Sequence, residues 1–345
     1  MRRVTIADVA RRARVSPMTV SRVVNGSDHV SDQTRRRVER AMVDLGYIPN
    51  RVARGLVVNK LGVLALVIPD LSNPFFTKVA RGVEARANLA GYTVILGNSD
   101  EDAHREEAYL RAVSSLQVDG VILASSGRGS GASLAWPLRR GIPVVLLDRE
   151  VDGFDGDFAH GESRRASRLL VEHLIEHGHH RIAMVSGPLG ASTARDREHG
   201  YRAALGHHGL RFDPALLRRA PYTRAGGYRE ALALLAREDR PSAVFAANNF
   251  LAFGVMDAAR EQGLRVPQDL AVVTFDDVEI AADEPFLTCA DQPAEALGQA
   301  AIGLLLDRLD GDHSPPRTVM LETELRIRRS CGRHEEPLAD RATVG

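Results

Sequence analysis

The chain has 345 residues, of which 44% are hydrophobic and 26% charged, a composition typical of a globular protein and unlike a disordered or fibrous one. Its longest apolar stretch, Leu61 to Ile68, is far shorter than the ~20 residues of a membrane-spanning helix, so we expect no membrane partner. Only Cys289 and Cys331 are present, which excludes a disulfide scaffold, and with no visible secretory signal we expect a cytoplasmic protein.

The net charge is zero, but the charges are unevenly distributed along the chain. Residues 1–60 contain 13 Lys and Arg against 5 Asp and Glu, a balance of +8, which leaves a balance of −8 for residues 61–345. A basic head on an acidic body indicates that the head contacts a polyanion and that the body does not.

Two short helices are predicted at the start of the head. Thr5 can cap the first, Asp8 adds negative charge in its first turn, and the helix ends near Arg14. The second begins at Ser16–Pro17, since serine caps well and proline suits the first helical position. It ends at Asn25–Gly26.

A third helix is predicted from Ser31 to about Leu45, with Gly46 as its stop. Two helices joined by a tight turn and packed on a third form a helix-turn-helix, whose second helix enters the DNA major groove. On that helix Arg22 can bond to guanine and Met18 can contact a thymine methyl. The alternative is a small helical bundle that binds nothing, which the charge of +8 disfavours.

Residues 49–60 follow as a separate segment. Asn50 could cap a helix of about two turns, but so short a helix is marginal in water and Gly55 weakens it further. We expect it to fold only against DNA and a partner copy. Leu56 would then be an apolar wedge for a minor-groove base step; the alternative is an ordinary linker whose leucine packs on the body.

The segment Val4 to Gly26, together with Tyr47–Asn50 and Leu56, resembles the lactose-repressor (LacI/GalR) family of bacterial transcriptional regulators. The resemblance implies a sequence-specific DNA-binding regulator, a repressor, that reads a palindromic operator as a homodimer. It implies that Pro17, Met18 and Arg22 read bases, that Thr19 and Ser21 hold phosphates, and that Leu56 is the minor-groove lever. Arg14 departs from the family's usual turn glycine. The full DNA-binding set that we assign is Thr5, Ser16, Pro17, Met18, Thr19, Ser21, Arg22, Asn25, Asn50, Arg51, Ala53, Arg54 and Leu56.

From Leu61 onwards short apolar runs alternate with helical periods, which predicts an α/β fold with parallel sheets covered on both faces. The predicted strands are Val63–Ile68, Tyr92–Leu96, Gly120–Ala124, Pro143–Leu147, Arg181–Val185, Ala243–Ala246 and Leu270–Thr274. The helices predicted between them include Lys78–Ala90, Glu106–Leu116, Ser167–His177, Gly226–Arg237 and Leu251–Gln262.

Ligands of such sheets bind beyond the carboxyl ends of the strands. The residues there are polar, with two phenylalanines nearby: Pro69–Phe76, Asn98–Asp100, Ser125, Asp148, Asn248–Asn249 and Asp276–Asp277. Carboxylates and carboxamides pair with hydroxyl groups, and an aromatic ring packs on a sugar's less polar face, so this mixture fits a hydroxyl-rich ligand. The alternative for each residue is that it only caps the next helix.

The body, from Leu61 to about Arg328, resembles the same family, whose effector domain is built like a periplasmic sugar-binding protein. This implies two doubly wound parallel-sheet lobes. Lobe 1 comprises about 61–160 and 290–319, and lobe 2 about 161–289 and 320–331. The helix-turn-helix head at 1–48 and the hinge at 49–60 precede them, and a tail at 332–345 follows. With the resemblance, the set assigned to a small sugar-like effector is Asp70, Asn73, Phe75, Phe76, Ser125, Asp148, Arg197, Tyr222, Asn248 and Asp276.

Three other interpretations rest on real pattern matches. Gly127–Ala132 fits the dinucleotide fingerprint, but it follows the third strand and Pro137 shortens the next helix. His173–His177 fits an inverted zinc-protease motif, although both histidines also suit a helix C-terminus. An exported binding protein is disfavoured by the head. We therefore expect neither enzyme activity, nor a cofactor, nor a metal, and a tail without apolar heptads leaves a dimer as the default.

Overall fold

The structure, a computed structural model, describes residues 4–24, 29–47, 60–127, 129–277 and 285–332. The chain forms two compact units, Met1–Leu61 and Gly62–Gly345, which we call the head and the body and describe separately. None of the helices in these ranges is long and apolar enough to cross a membrane. The predicted helix end at Asn25–Gly26, the short hinge helix and the tail from residue 333 lie outside the described residues.

The head has the three predicted helices: α1 (Ile6–Ala13), α2 (Pro17–Val24) and α3 (Asp32–Leu45). The Asp8 carboxylate accepts from the Thr5 backbone N–H at 3.0 Å, which confirms the predicted helix start. Arg14 has a φ of 51°, so this arginine adopts the left-handed conformation that a turn glycine would supply without strain. The core of the unit is fully buried Val9, Val20 and Val38.

The first half of the body is a six-stranded sheet with the order β11-β5-β4-β3-β1-β2, and every pairing in it is parallel. Its strands are β1 (Val63–Ile68), β2 (Thr93–Asn98), β3 (Gly120–Leu123), β4 (Val144–Leu147), β5 (Asp157–Gly161) and β11 (Thr318–Leu321). The helices of this half are α4 (Pro74–Leu89), α5 (Ala103–Leu116), the short α6 (Ser130–Ser133) and α7 (Ala135–Leu138), and α12 (Ala294–Leu309). We call this half lobe 1.

Lobe 2 repeats the arrangement with the strand order β12-β10-β9-β8-β6-β7. Its strands are β6 (Ile182–Ser186), β7 (Leu217–Arg219), β8 (Ala243–Ala246), β9 (Ala271–Phe275), β10 (Thr288–Asp291) and β12 (Glu324–Arg326). Its helices are α8 (Ser163–Glu176), α9 (Ser192–His207), α10 (Arg224–Leu235) and α11 (Asn249–Glu261), with 3-10 turns at Pro214–Leu216 and Arg329–Cys331. One edge differs from the predicted all-parallel sheet, because β12 pairs with β10 antiparallel.

Within the described ranges, the chain crosses between the lobes three times. The crossings lie between β5 and α8, between β10 and α12, and between β11 and β12. β10 stays with the sheet of lobe 2 through Asp291, which pairs with Glu324, close to the predicted crossing near residue 290.

Among the described residues, three pairs of helices pack with their backbones in direct contact; in one of them, α8 and α9, a Cβ on Gly200 would overlap the carbonyl oxygen of Arg164. A Cβ atom on Gly82 of α4 would overlap the carbonyl oxygen of Glu295 in α12, and one on Gly298 would overlap that of Val79. The same relation recurs in lobe 2, where a Cβ on Gly227 of α10 would overlap the backbone of α11. These helices therefore lie closer than side chains would allow.

The predicted strands and helices of the body are all present, with ends shifted by a few residues. The helices begin two to four residues earlier than predicted. Thus α4 begins at Pro74, after the Asn73 cap, rather than at Lys78.

Candidate functional site

Helix α2 of the head presents the residues predicted to read DNA bases. Pro17, Met18 and Arg22 are exposed, and Met18 keeps 64% of its surface accessible. Val20 and Val23 are buried on the opposite side, so α2 has one face for the core and one for a partner. This is the division that a recognition helix requires.

The remaining predicted DNA contacts of the head flank this face or lie elsewhere. Thr19 and Ser21 are half-buried, and the exposed Ser16 and Thr5 stand at the starts of α2 and α1. The Ser16 and Thr19 hydroxyls are 2.9 Å apart. Six assigned residues lie outside the described residues and remain predictions: Asn25, Asn50, Arg51, Ala53, Arg54 and Leu56.

The body has a cleft between its lobes, and the structure brings most of the predicted effector set together there. The predicted residues that line it are Asp70, Asn73, Phe75, Phe76, Asp148, Arg197, Tyr222, Asn248 and Asp276. They come from loops far apart in sequence, after strands of both sheets. Loop ends of parallel strands thus converge as expected.

Two of these residues occupy equivalent positions in the lobes. Asp148 follows β4 and Asp276 follows β9, with φ angles of 63° and 65°. Their N–H groups donate to the carbonyls of Ala159 at 2.8 Å and Ala290 at 2.9 Å, which extends the strand pairing by one bond. The left-handed backbone costs about 1 kcal/mol at a non-glycine residue, and here it is repeated at the same point of both lobes.

Both aspartates are buried, which changes their acidity. Burial raises the pKa of Asp276 to about 6, although the Arg197 charge and a hydrogen bond from Gln292 oppose this rise. Burial also raises the pKa of Asp148. The cleft therefore holds carboxylates whose charge is costly until a donor reaches them.

Arg197 lies against the same cleft from lobe 2. Its Nη1 donates to the Ala247 carbonyl at 2.6 Å, and its guanidinium is 3.8 Å from the centroid of the Phe275 ring. Arg197 Nε and Asp148 Oδ1 are both buried without a hydrogen-bond partner among the described residues. An unpartnered donor and acceptor in one cleft favour a ligand that supplies both.

Three cleft residues were not predicted from the sequence: Glu101, Arg149 and Thr193. Arg149 is buried and forms two 2.7 Å hydrogen bonds to the Glu101 carboxylate. Burial opposes its charge, but Glu101 outweighs burial and raises the pKa of Arg149. Its guanidinium lies 5.4 Å from the Tyr222 ring centroid. No local pattern indicates a pair 48 residues apart.

Ser125 is the one predicted effector residue that does not line the cleft. Its hydroxyl donates to Ser130 Oγ at 2.7 Å and accepts from the Gly127 N–H at 2.9 Å, so it stabilises its own turn. Only its carbonyl serves the cleft, by accepting a 3.0 Å hydrogen bond from Arg149.

Two asparagines, Asn73 and Asn248, each cap a helix and also line the cleft. Helix capping and a place in the predicted effector site are therefore compatible at these positions. Asn73 Oδ1 accepts from the Phe75 N–H at 3.0 Å, and Asn248 Oδ1 from the Leu251 N–H at 2.9 Å. Asn73 Oδ1 also accepts from Asn249 Nδ2 of the other lobe at 3.1 Å. The lobes are thus in direct contact beside the cleft.

The cleft is narrow in this conformation. Its cavity volume is about 20 Å³, which is room for about one water molecule. A ligand of sugar size therefore requires the lobes to move apart.

The other pattern matches have structural explanations. Gly127 and Gly129 have positive φ angles and lead into a helix of only four residues, Ser130–Ser133, rather than into a long dinucleotide-binding helix. His173 Nε2 lies 3.1 Å from Cys331 Sγ, and His177 Nδ1 contacts the His173 carbonyl at 2.7 Å. The His177 ring thus bonds to the C-terminal turn of α8, and the His173 ring packs against the turn at Arg329–Cys331.

Comparisons with known proteins agree with both halves of this description. Residues 5–50 match the family model described as bacterial regulatory proteins, lacI family, and residues 171–331 match a periplasmic binding protein-like domain. The HTH-type transcriptional repressor CytR of Escherichia coli (strain K12) is 33% identical over 328 residues, which cover 94% of this chain and 96% of CytR.

Two solved structures are similar along nearly the whole chain. The lac repressor dimer bound to operator and the anti-inducer ONPF has a TM-score of 0.83 and 30% identity, covering 96% of this chain and 99% of that one. The complex of transcriptional regulator CelR with cellobiose has a TM-score of 0.72 and 33% identity, covering 95% and 100%.

Proposed function

The chain belongs to the lacI family of bacterial regulatory proteins, and on that premise we propose that it represses transcription as a homodimer on a palindromic operator, under the control of a sugar-like effector. It is a DNA-binding transcriptional regulator and not an enzyme. Because its target is chromosomal DNA, its place of action is the cytoplasm.

The head carries the DNA contacts in this proposal. Pro17, Met18 and Arg22 stand on the exposed face of α2, where they can reach base edges once the helix lies in the major groove. One such module contacts few bases, so two heads related by a twofold axis read a palindrome. The solved dimer of the lac repressor on its operator supports this arrangement.

The observation that carries the effector half is the chemistry of the cleft. It combines carboxylates on both lobes, the Arg197 guanidinium, the Asn248 carboxamide and aromatic rings. Asp148 Oδ1 and Arg197 Nε are buried there without a hydrogen-bond partner in the part of the chain that the structure describes. Hydroxyl groups donate and accept at once, so a sugar satisfies both atoms. The CelR relative is in complex with cellobiose and the lac repressor relative is bound to ONPF, which supports a small-molecule effector for this chain.

An effector that contacts both lobes changes their separation, because the closed cleft admits no sugar. A ligand shifts a conformational equilibrium only through its differential affinity for the two states. The lobe separation that the effector favours then changes operator affinity by the same factor as the operator changes effector affinity. An effector that weakens operator binding is an inducer, and one that strengthens it is a corepressor.

The test begins by incubating the full chain with fragments of genomic DNA. The fragments that the protein retains are sequenced to identify the operator. A thermal-shift screen of monosaccharides and disaccharides then identifies sugars that stabilise the protein, and fluorescence anisotropy measures operator affinity with and without them. We expect Arg197→Ala to abolish the sugar response and to keep operator binding, whereas Arg211→Ala, a change at an exposed arginine of lobe 2, alters neither. Loss of operator binding in Arg197→Ala would make Arg197 a structural residue.

A further inference from the structure

The turn between α1 and α2 of the head contains a strained residue, Arg14, whose side chain has no role in the description so far. Arg14 ends α1 with φ and ψ angles of 51° and 50°, a left-handed conformation that glycine adopts freely and other residues adopt at a cost. Its N–H donates to the Arg11 carbonyl at 3.3 Å, and the Val15 N–H donates to the Ala10 carbonyl at 3.0 Å. The turn therefore uses this conformation to satisfy the last carbonyls of α1.

The side chain of Arg14 is directed away from the core of the head. Ala13, which precedes it, is buried, and Val15, which follows it, packs against the core. Arg14 itself is exposed. The guanidinium is thus available on the surface of the turn, at a backbone position where a side chain adds strain and contributes nothing to packing.

The other two arginines near the end of α1 are used within the head. Arg11 Nη1 lies 3.4 Å from Asp8 Oδ1, and Arg12 Nη2 lies 2.7 Å from Asp44 Oδ2. Within the described ranges of the chain, no ion pair or side-chain hydrogen bond involves Arg14. A charged side chain that is kept at a strained position without such a partner indicates a partner outside the chain.

The place of the turn in a helix-turn-helix identifies the chemistry of that partner. When the second helix lies in the major groove, the first helix crosses the DNA backbone, so the turn between them lies over the phosphates at the edge of the groove. Arg14 precedes Ser16, at the start of α2, by two residues, which span at most about 7 Å. An arginine has a long side chain and a planar fork of donors that matches a phosphate group.

Building on the DNA-binding function proposed above, we propose that Arg14 binds a backbone phosphate of the operator beside the N-terminus of α2. The contact does not depend on base sequence, and it adds one phosphate contact per head and two per dimer. An arginine is present at this position, although glycine would make the turn more stable, because its charge strengthens operator binding.

Three substitutions separate the charge of Arg14 from its backbone strain. Arg14→Gln removes the charge and keeps the Cβ atom; Gln117, which follows α5 with φ and ψ angles of 54° and 48°, adopts the same conformation. Arg14→Lys keeps both the charge and the Cβ atom, and Arg14→Gly removes both. Arg211→Gln is the matched control, since it makes the same change at an exposed arginine of lobe 2.

The main measurement is fluorescence anisotropy of the full chain with a labelled duplex made from a retained genomic fragment, over a series of salt concentrations. We expect Arg14→Gln and Arg14→Gly to reduce the slope of log affinity against log salt by about 2 for a dimer, since each phosphate contact contributes about 0.9. Affinity at about 0.1 M salt should fall about tenfold or more, and equally for duplexes with single-base changes. Arg14→Lys should keep the slope, and Arg211→Gln should change neither slope nor affinity.

Amide hydrogen exchange of the full chain tests whether Arg14 is instead a structural residue. Arg14→Gly should slow the exchange of the α1 amides about fivefold or more, because it relieves the left-handed strain. Arg14→Gln should leave this exchange unchanged. A variant that stabilises the head and weakens DNA binding is the combination that a structural role of Arg14 does not produce.

Several results would overturn the proposal. An unchanged salt slope in Arg14→Gln and Arg14→Gly, or a reduced slope in Arg14→Lys, removes the phosphate contact. Faster exchange of α1 in Arg14→Gln makes Arg14 a structural residue, and a loss confined to one base pair makes it a base-reading residue. A flat salt response of the natural chain refutes the DNA-binding function itself, whereas a steep response that no Arg14 variant alters refutes this inference alone.

Discussion

The buried carboxylate of Asp276 should make the body less stable at neutral pH than it would be with an uncharged residue there. The pKa of Asp276 rises from 3.8 to about 6 on folding, chiefly through burial. One pKa unit corresponds to about 1.4 kcal/mol, so ionised Asp276 costs the folded body about 3 kcal/mol. Asp276→Asn removes the charge, keeps the size, and retains an oxygen that can accept from Gln292 Nε2, which now donates to Asp276 Oδ1 at 2.8 Å.

The sign of the effect follows from proton linkage. Because folding raises this pKa, the folded state holds the proton more tightly, and stability falls as pH rises between about 4 and 6. The stability advantage of Asp276→Asn over the natural chain should therefore be small near pH 4 and reach about 3 kcal/mol above pH 7. Urea unfolding followed by the fluorescence of Trp136, the single tryptophan, reports the body alone.

Asp277 supplies a control, because its pKa is shifted in the opposite direction to that of Asp276. Burial alone would raise the pKa of Asp277, but hydrogen bonds from Arg328 and Arg326 outweigh it and hold this pKa below its usual range. Asp277→Asn should therefore be destabilising at neutral pH, and its deficit should shrink as the pH falls below about 4. A difference between Asp276→Asn and the natural chain that does not change with pH would refute the reasoning. If Asp276→Asn also binds the effector more weakly, Asp276 contributes to effector binding while it lowers the stability of the body.

Further predictions concern the head and the packing of the body. Operator affinity should fall linearly in a double-logarithmic plot against salt, because the basic head displaces counterions from phosphates; a flat response contradicts a DNA-binding head. Arg22→Ala should lose about 1–3 kcal/mol of operator binding and relax specificity at one base pair, measured by anisotropy on single-base operator variants. Leu56→Ala should reduce both operator affinity and DNA bending, and unchanged bending would remove its role as a wedge. Gly82→Ala should cost about 1–3 kcal/mol of stability through overlap with the α12 backbone, whereas Gly206→Ala should be neutral or gain up to about 1 kcal/mol from helix propensity.

Sequence patterns predicted those helices and strands whose signals lie within their own residues. Capping residues and the apolar period predicted α1 to α3, and continuous apolar runs predicted the central strands. The strand β5, Asp157–Gly161, was not predicted from the sequence because it begins with an aspartate and includes a histidine. Asp157 is buried there, and Arg308, 151 residues later, forms an ion pair with it at 2.7 Å. Such a partner is invisible to any local pattern.

In the effector cleft, too, residues with a local sequence signal were predicted and residues that depend on distant partners were missed. Its residues at strand ends were predicted because parallel strands bring their carboxyl ends to one edge. The Glu101–Arg149 pair was missed because neither residue stands out in its own segment. Ser125 was included because it follows a strand, although its hydroxyl is used by the turn that it begins. The left-handed backbone of Asp148 and Asp276 has no signature in composition, and each of these residues bonds to the neighbouring strand, which a local pattern does not show.

The glycine contacts between α4 and α12 and between α10 and α11 have a mechanical consequence. Helices that touch through their backbones have no intervening layer of side chains that could rearrange, so each lobe resists internal deformation. When an effector separates the lobes, the change in backbone conformation must then occur in the three segments that connect them. Substitutions that separate effector binding from operator release should accordingly cluster in those connections and spare the helices that stiffen each lobe.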